Sequence, residues 1–271
     1  MVTANSPAAQ RWAQALGAWA IPDEILAAAP ASPWSFPPER FARMAARALA
    51  DPVASPSRRR ALEVLAEGGV VLDVGVGGGA ASLPLSPPAA LLVGVDQSAA
   101  MLDTFAAAAE ERSVTHAQVQ GGWPDVAAEV EPADVVVCHH VAYNVADLVP
   151  FVTALTASAR RRVVLELTAL HPLTSSNPLW LELHGVVRPT SPTADDAVAV
   201  LEEMGLAVGV EAFERPVAEG DDAEEELADV VPFVRRQLCL GPERDAEIES
   251  LLRRHGRAQL GRVVTLWWDT A

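Results

Sequence analysis

Ten residues constrain this chain more than any others: Val70-Val71-Leu72-Asp73-Val74-Gly75-Val76-Gly77-Gly78-Gly79. A short apolar run, interrupted only by Asp73 and bounded by glycine, reads as a buried strand. The glycines that follow permit positive φ and close approach of the backbone to a ligand. A helix opening directly after them would offer unpaired amides to an anionic group. The stretch reads as a strand, a turn and a helix that together hold a nucleotide-type ligand, against the plainer alternative of a tight turn with none. Gly75-x-Gly77-x-x-Ala80 also fits a dinucleotide fingerprint. Asp96 follows at about the 20-residue distance where that fingerprint places a ribose-binding acid.

From Val70 onward, short apolar runs alternate with helical patterns, the grammar of a mostly parallel sheet covered on both faces. Strands are expected at Val70–Val74, Leu91–Val95, Val114–Val119, Asp134–Cys138, Arg162–Leu167, Ala207–Phe213 and Arg262–Trp268. Helices are expected near Gly79–Leu83, Ala99–Glu110, Val126–Val130, Val145–Ala159, Thr193–Met204 and Glu243–Arg254, and another after the acidic run Asp221–Glu226. Acidic residues favour a helix N-terminus, which is the simplest reading of that run. Before Val70 the pattern is helical: Ser6-Pro7 opens one helix, Phe41 to Leu49 mark a second, and Ser55-Pro56 opens a third that stops at Gly68-Gly69. The expected organisation is an N-terminal helical cap over residues 1–67 and an α/β domain over 68–271, with helical inserts near 169–192 and 218–258.

Composition narrows the chemistry. The chain contains no lysine, which excludes a Schiff-base lysine, a P-loop and the Tyr-x-x-x-Lys pair of short-chain dehydrogenases. A formal net charge of −16 suits neither DNA nor RNA, so no nucleic-acid partner is expected. No apolar run reaches the roughly 20 residues that span a bilayer, and Met1–Gln10 carries no secretory pattern. With Cys138 and Cys239 the only cysteines, a reduced, cytoplasmic setting without membrane association is expected.

With these motifs in hand, the chain resembles the class I S-adenosylmethionine-dependent methyltransferases, and among them members from actinobacteria. The family's acid-x-Gly-x-Gly-x-Gly motif is met by Asp73, Gly75, Gly77 and Gly79, and the acid ending its second strand by Asp96 in Gly94-Val95-Asp96-Gln97-Ser98. Its fourth strand is met by Ala133-Asp134-Val135-Val136-Val137-Cys138-His139-His140. The third-strand acid is missing, and Gln120-Gly121-Gly122-Trp123 stands in its place. The resemblance covers residues 70–168 well and 193–268 loosely. It implies a Rossmann-like, doubly wound sheet of seven strands with an antiparallel last strand. It also implies S-adenosylmethionine as cofactor, with Asp73 and the glycines at its methionine half and Asp96 at its ribose. Gln97, Met101, Gln120, Gly121, Trp123 and His139 would complete the site, Trp123 stacking on the base. Asp96 as part of a helix cap ahead of Ser98 remains the competing reading.

Methyl transfer asks the protein mainly to align an acceptor and, for a hydroxyl, to remove its proton. His139, His140 and Tyr143 in Cys138-His139-His140-Val141-Ala142-Tyr143-Asn144 are the candidates, a histidine being the natural base near neutral pH. Tandem histidines could equally be structural, and as a metal site the pair is poor. The Asn/Asp-Pro-Pro-Tyr motif of many amino-directed methyltransferases is absent after this strand, which favours a small-molecule acceptor. Trp34, Phe36, Asn144, His171, Trp180 and His184 are candidate lining for its pocket, with core packing as the alternative for each aromatic. Glu166, on a buried strand, needs a partner, either an arginine or the substrate. The rival readings are a nicotinamide-dependent oxidoreductase using the same turn and a catalytically silent cofactor-binding protein.

Overall fold

The structure is a computed structural model that describes residues 6–34, 37–51, 53–214, 221–255 and 261–270. A seven-stranded sheet forms its centre: β1 (Val70–Val74), β2 (Leu91–Asp96), β3 (His116–Gln120), β4 (Ala133–His139), β5 (Ala159–Thr168), β6 (Gly209–Glu214) and β7 (Arg262–Asp269). The strand order is β3-β2-β1-β4-β5-β7-β6, and only β7 runs antiparallel to its neighbours. This is the doubly wound, mostly parallel sheet with an antiparallel last strand that the sequence implies. The order reverses between β1 and β4, where connections leave towards opposite sides and open a crevice at the strands' C-terminal ends. Both the glycine turn and the His139-His140 segment emerge there.

Helices α1 (Pro7–Gly17), α2 (Asp23–Ala27), α3 (Pro38–Ala50) and α4 (Pro56–Leu62) precede the sheet. They do not sit together. Trp12 of α1 is fully buried in the core beneath one face, with Leu72, Val136, Leu165 and residues of α6 (Leu148–Ala157) and α8 (Ala194–Glu203). Its indole donates to Val145 O at 2.8 Å. On the other face, Ala45 of α3 and Ala61 of α4 join Val71, Val135, Val137, Val164 and Phe105 of α5 (Ala99–Glu111). A third cluster gathers Ile21 and residues of α7 (Asn177–His184), α9 (Asp221–Gln237) and α10 (Asp245–His255) around Leu179 and Trp180.

Several elements differ from the sequence expectation for local reasons. The helix expected at Gly79–Leu83 is a 3-10 turn at Leu83–Leu85, where Pro84 removes a donor from the ladder. The one expected at Val126–Val130 is a 3-10 turn at Ala127–Glu129. The helix opened by Ser55 closes at Leu62, well short of Gly68, and its Ser55 hydroxyl caps the Arg58 amide. Helix α6 is shorter than its apolar pattern because Ala159 already pairs with Ala133 as part of β5. Among the described residues, no helix is long and apolar enough to cross a membrane.

Candidate active site

The turn after β1 is built as its sequence demands. Gly75 and Gly77 have φ of 76° and 50°, the left-handed region that side-chain-bearing residues avoid. A Cβ at Gly75 would collide with the Val141 side chain, and one at Gly77 would lie 2.9 Å from the Phe41 ring of α3. The turn is therefore clasped between the segment after β4 and the first turn of α3. Two backbone bonds, from the Gly75 and Val76 amides to Val95 O at 2.8 and 3.0 Å, fasten it to β2.

Asp73 lies beneath this turn, 1% exposed, where its Oδ2 accepts from Ser82 Oγ at 2.6 Å. Burial raises its pKa to about 7 and the nearby Asp96 charge adds to that rise, against the Ser82 hydrogen bond. Asp73 thus braces the turn from within.

Asp96 ends β2 with each carboxylate oxygen already committed once. Oδ2 accepts from the Gly77 amide at 3.0 Å and Oδ1 from the Ser98 amide at 2.9 Å. The cap of α5 itself is Ser98, whose hydroxyl accepts from the Met101 amide. A carboxylate has about four lone-pair sites, so two remain for a vicinal diol. This donor set, beside a turn that only glycine can form, fits the ribose and methionine ends of S-adenosylmethionine. Gln97 and Gln120 are exposed nearby, with Gln120 Nε2 on Gln97 O at 3.4 Å, and Met101 is buried in α5. Gly121 extends the third strand by donating its amide to Asp96 O at 3.0 Å. The Trp123 indole instead donates to Phe151 O of α6 at 3.3 Å, so its edge is tied to a helix.

The segment after β4 separates the catalytic candidates. His139 is the register partner of Glu166 on β5, and His140 follows in a left-handed conformation with φ 60°. The His140 Nε2 lies 3.2 Å from Glu166 Oε1, with the imidazole 27% and the carboxylate 4% exposed. Glu166 Oε2 accepts from Ser57 Oγ at 2.5 Å. The sequence suggests an arginine or the substrate as the partner of Glu166; the structure places a histidine and a serine against it. Ser57 gave no signal, because Ser-Pro-Ser at a helix start reads only as a cap.

Tyr143 goes elsewhere. It is 5% exposed, stacks on Trp12 with centroids 5.6 Å apart and donates its hydroxyl to Thr168 O at 2.8 Å. Burial raises its pKa well above the ordinary phenol range. His171 is buried between Trp19 and Tyr143, 4.0 and 5.0 Å between centroids. Burial first, and then the Arg188 charge, lower its pKa to about 4. Trp180 packs in the third cluster with the Arg188 guanidinium 4.7 Å over its ring, and His184 Nε2 meets Leu238 O at 2.8 Å. Trp34 and Asn144 are exposed, and Phe36 lies outside the described residues. Of the expected pocket residues, His171, Trp180 and His184 are thus engaged by neighbouring rings, a guanidinium and a backbone carbonyl. Two surface hollows, bordered by Val70, Leu91 and Pro132 and by Val64, Arg161 and Thr270, lie at the opposite strand ends and contain none of these site residues. Among the described residues, no group of three or more acidic, histidine or cysteine side chains is placed to hold a metal.

Comparison with known proteins agrees with this geometry. A family model described as "Methyltransferase domain" matches residues 72–167, from the glycine strand to the end of β5. The chain carries a methyltransferase domain over those residues. The nicotinamide oxidoreductase alternative gives way to that match. Among solved structures, the methyltransferase is similar to a cyclopropane-fatty-acyl-phospholipid synthase-like protein from Lactobacillus casei (16% identity, TM-score 0.53, covering 92% of this chain and 98% of that one). It is also similar to a putative methyltransferase from Bacillus halodurans (16%, TM-score 0.51, covering 80% and 99%). A third is magnesium protoporphyrin IX methyltransferase from Synechocystis, which holds bound SAH (15%, TM-score 0.50, covering 84% and 93%). At such identities the likeness speaks to fold alone. No curated protein sequence matches the methyltransferase.

Proposed function

We propose that this methyltransferase transfers a methyl group from S-adenosylmethionine to a small-molecule acceptor, with His140 as the base. The observation that carries the reading is the placement of the Glu166–His140 pair at the crevice where the sheet order reverses, next in sequence to Val141, which rests on Gly75. When bound, the donor supplies an electrophilic methyl carbon on a positively charged sulfur, already activated for in-line displacement. Asp96 would accept the ribose hydroxyls through its two remaining lone-pair sites, and the amides of the Gly75–Gly79 turn would meet the methionine carboxylate. His139, Gln97, Met101, Gln120, Gly121 and Trp123 form the rest of the donor side in this reading, with Asp73 acting through the turn.

The described parts of residues 1–67 and of the segments near 169–192 and 218–258, together with Asn144, would contribute to the acceptor side; Trp34 and Asn144 are exposed. The net charge of −16 disfavours a nucleic-acid acceptor, and two buried free thiols suit a reducing, cytoplasmic setting. The test is transfer of labelled methyl from S-adenosylmethionine to panels of small phenols, alcohols, amines and carboxylates, with RNA and protein as further panels. Label entering a small molecule, and lost in His140→Asn, supports the proposal. Label entering only RNA or protein overturns the acceptor class, and donor binding without transfer to any panel favours a catalytically silent protein.

A further inference from the structure

Strand alternation would send His140 away from Glu166. Along β4, Val135 and Val137 face the α4 side of the sheet, Val136 and Cys138 face the α1 side, and His139 returns to the α4 side. Glu166 likewise faces α4, one step from Val164. The left-handed backbone at His140 breaks this alternation and swings the imidazole back to the carboxylate. The conformation is held by the His140 amide, which donates to Glu166 O at 2.6 Å. A strained non-glycine residue persists only where its surroundings fix it, and such residues concentrate at functional sites.

The far side of the carboxylate is fixed as well. Ser57, 1% exposed on α4, donates to Glu166 Oε2, and its own hydroxyl lies 2.9 Å from Ser55 Oγ. Both oxygens of a buried carboxylate are thus occupied, one by a chain segment 109 residues away and one by the imidazole. A role confined to joining α4 to β5 would need Ser57 alone. It would not need the backbone of His140 to be bent.

We propose that Glu166 is a positioning residue for His140, holding the imidazole with hydrogen on Nε2 and the lone pair on Nδ1, that Ser57 orients the carboxylate, and that the acceptor is a hydroxyl compound. The inference rests on the reading of His140 as the base. A carboxylate acceptor is already an anion, and an amine can attack first and shed its proton afterwards. A hydroxyl carries its proton into the step, so it gains from a base whose tautomer is set beforehand. The acceptor oxygen forms a bond to the methyl carbon as the carbon–sulfur pair returns to sulfur. The hydroxyl proton passes to Nδ1, leaving an imidazolium beside the Glu166 carboxylate.

The experiment is long-range proton–nitrogen NMR of the full chain labelled in its imidazoles, above pH about 8 where histidine is neutral. The His140 signals are identified by their loss in H140N and their persistence in H139N. The expected wild-type signature is Nε2–H. In E166Q, the amide oxygen takes the Ser57 proton and the NH2 group faces Nε2, so the signature should invert to Nδ1–H. In S57A the carboxylate loses its anchor, and a mixture of tautomers is expected. Nδ1–H in the wild type, or no change in E166Q, overturns the positioning role; a wild-type signature in S57A overturns the part given to Ser57. Hydroxyl acceptors should turn over far more slowly in E166Q while S-adenosylmethionine binding is unchanged. A wild-type chain that does not bind the donor would sink the methyltransferase mechanism and leave the tautomer result standing.

Discussion

The Gly77 amide and the Asp96 carboxylate, 3.0 Å apart, join the ends of β1 and β2 at the crevice of the sheet. One acid therefore serves both the glycine turn and the proposed ribose contact. Asp96→Asn keeps the shape, yet its amide nitrogen cannot accept, so the Gly77 or the Ser98 hydrogen bond is lost. Donor affinity should fall about tenfold or more in Asp96→Asn and further in Asp96→Ala, as charge-assisted bonds contribute roughly 1.5–3 kcal/mol each. Calorimetric titration of both variants checks this.

Gly75→Ala tests the turn itself. Left-handed backbone costs an alanine about 1–2 kcal/mol, and its Cβ would also strike Val141. Both a lower melting temperature and weaker donor binding are expected. A shortened partner, Gly75→Ala with Val141→Ala, should recover part of the stability and leave the backbone strain.

Two buried groups push the pH dependence of stability in opposite directions. Asp73 ionises near pH 7 in the folded chain against an ordinary 3.8, so the folded state holds a proton that the unfolded chain releases between those values. Its contribution is fully present below pH about 4 and is lost as pH rises towards 7. His171 takes a proton near pH 4 when folded against an ordinary 6.5, so its contribution is lost as pH falls through that window. The two slopes offset one another. Urea unfolding should show stability rising from pH 4 to 6.5 in Asp73→Asn and falling from pH 4 to 7 in His171→Leu. Parallel curves for the two variants would contradict both assignments.

Tyr143→Phe should cost about 1 kcal/mol of stability by leaving the buried Thr168 carbonyl short of a donor. Turnover should be unchanged. A rate loss beyond the stability loss would restore Tyr143 as a catalytic group, and chemical unfolding beside initial rates separates the two.

The sheet and the glycine turn were legible because their signals are local. Val70 to Gly79 writes a buried strand and a turn in ten consecutive residues, and Asp96 stands at a fixed distance from them. The aromatics were not legible in the same way. His171 and Trp180 lie in irregular or helical insert sequence whose composition suits a pocket or a core, and only packing against Trp19 and Arg188 decides between them. The Ser57–Glu166–His140 arrangement was hidden for another reason. Its members come from α4, β5 and the end of β4, and the contact depends on one left-handed residue that no propensity marks. The end of α6 and the helix expected at Gly79–Leu83 were missed where a neighbouring strand or a proline overrode an apolar pattern.

Titration calorimetry with S-adenosylmethionine, S-adenosylhomocysteine and NADH, on the wild-type chain and Asp96→Ala, tests the central claim most directly. Micromolar binding of the first two ligands, lost in the variant and absent for NADH, is the predicted result. Binding of NADH alone, or S-adenosylmethionine binding untouched by Asp96→Ala, would contradict the account of this site.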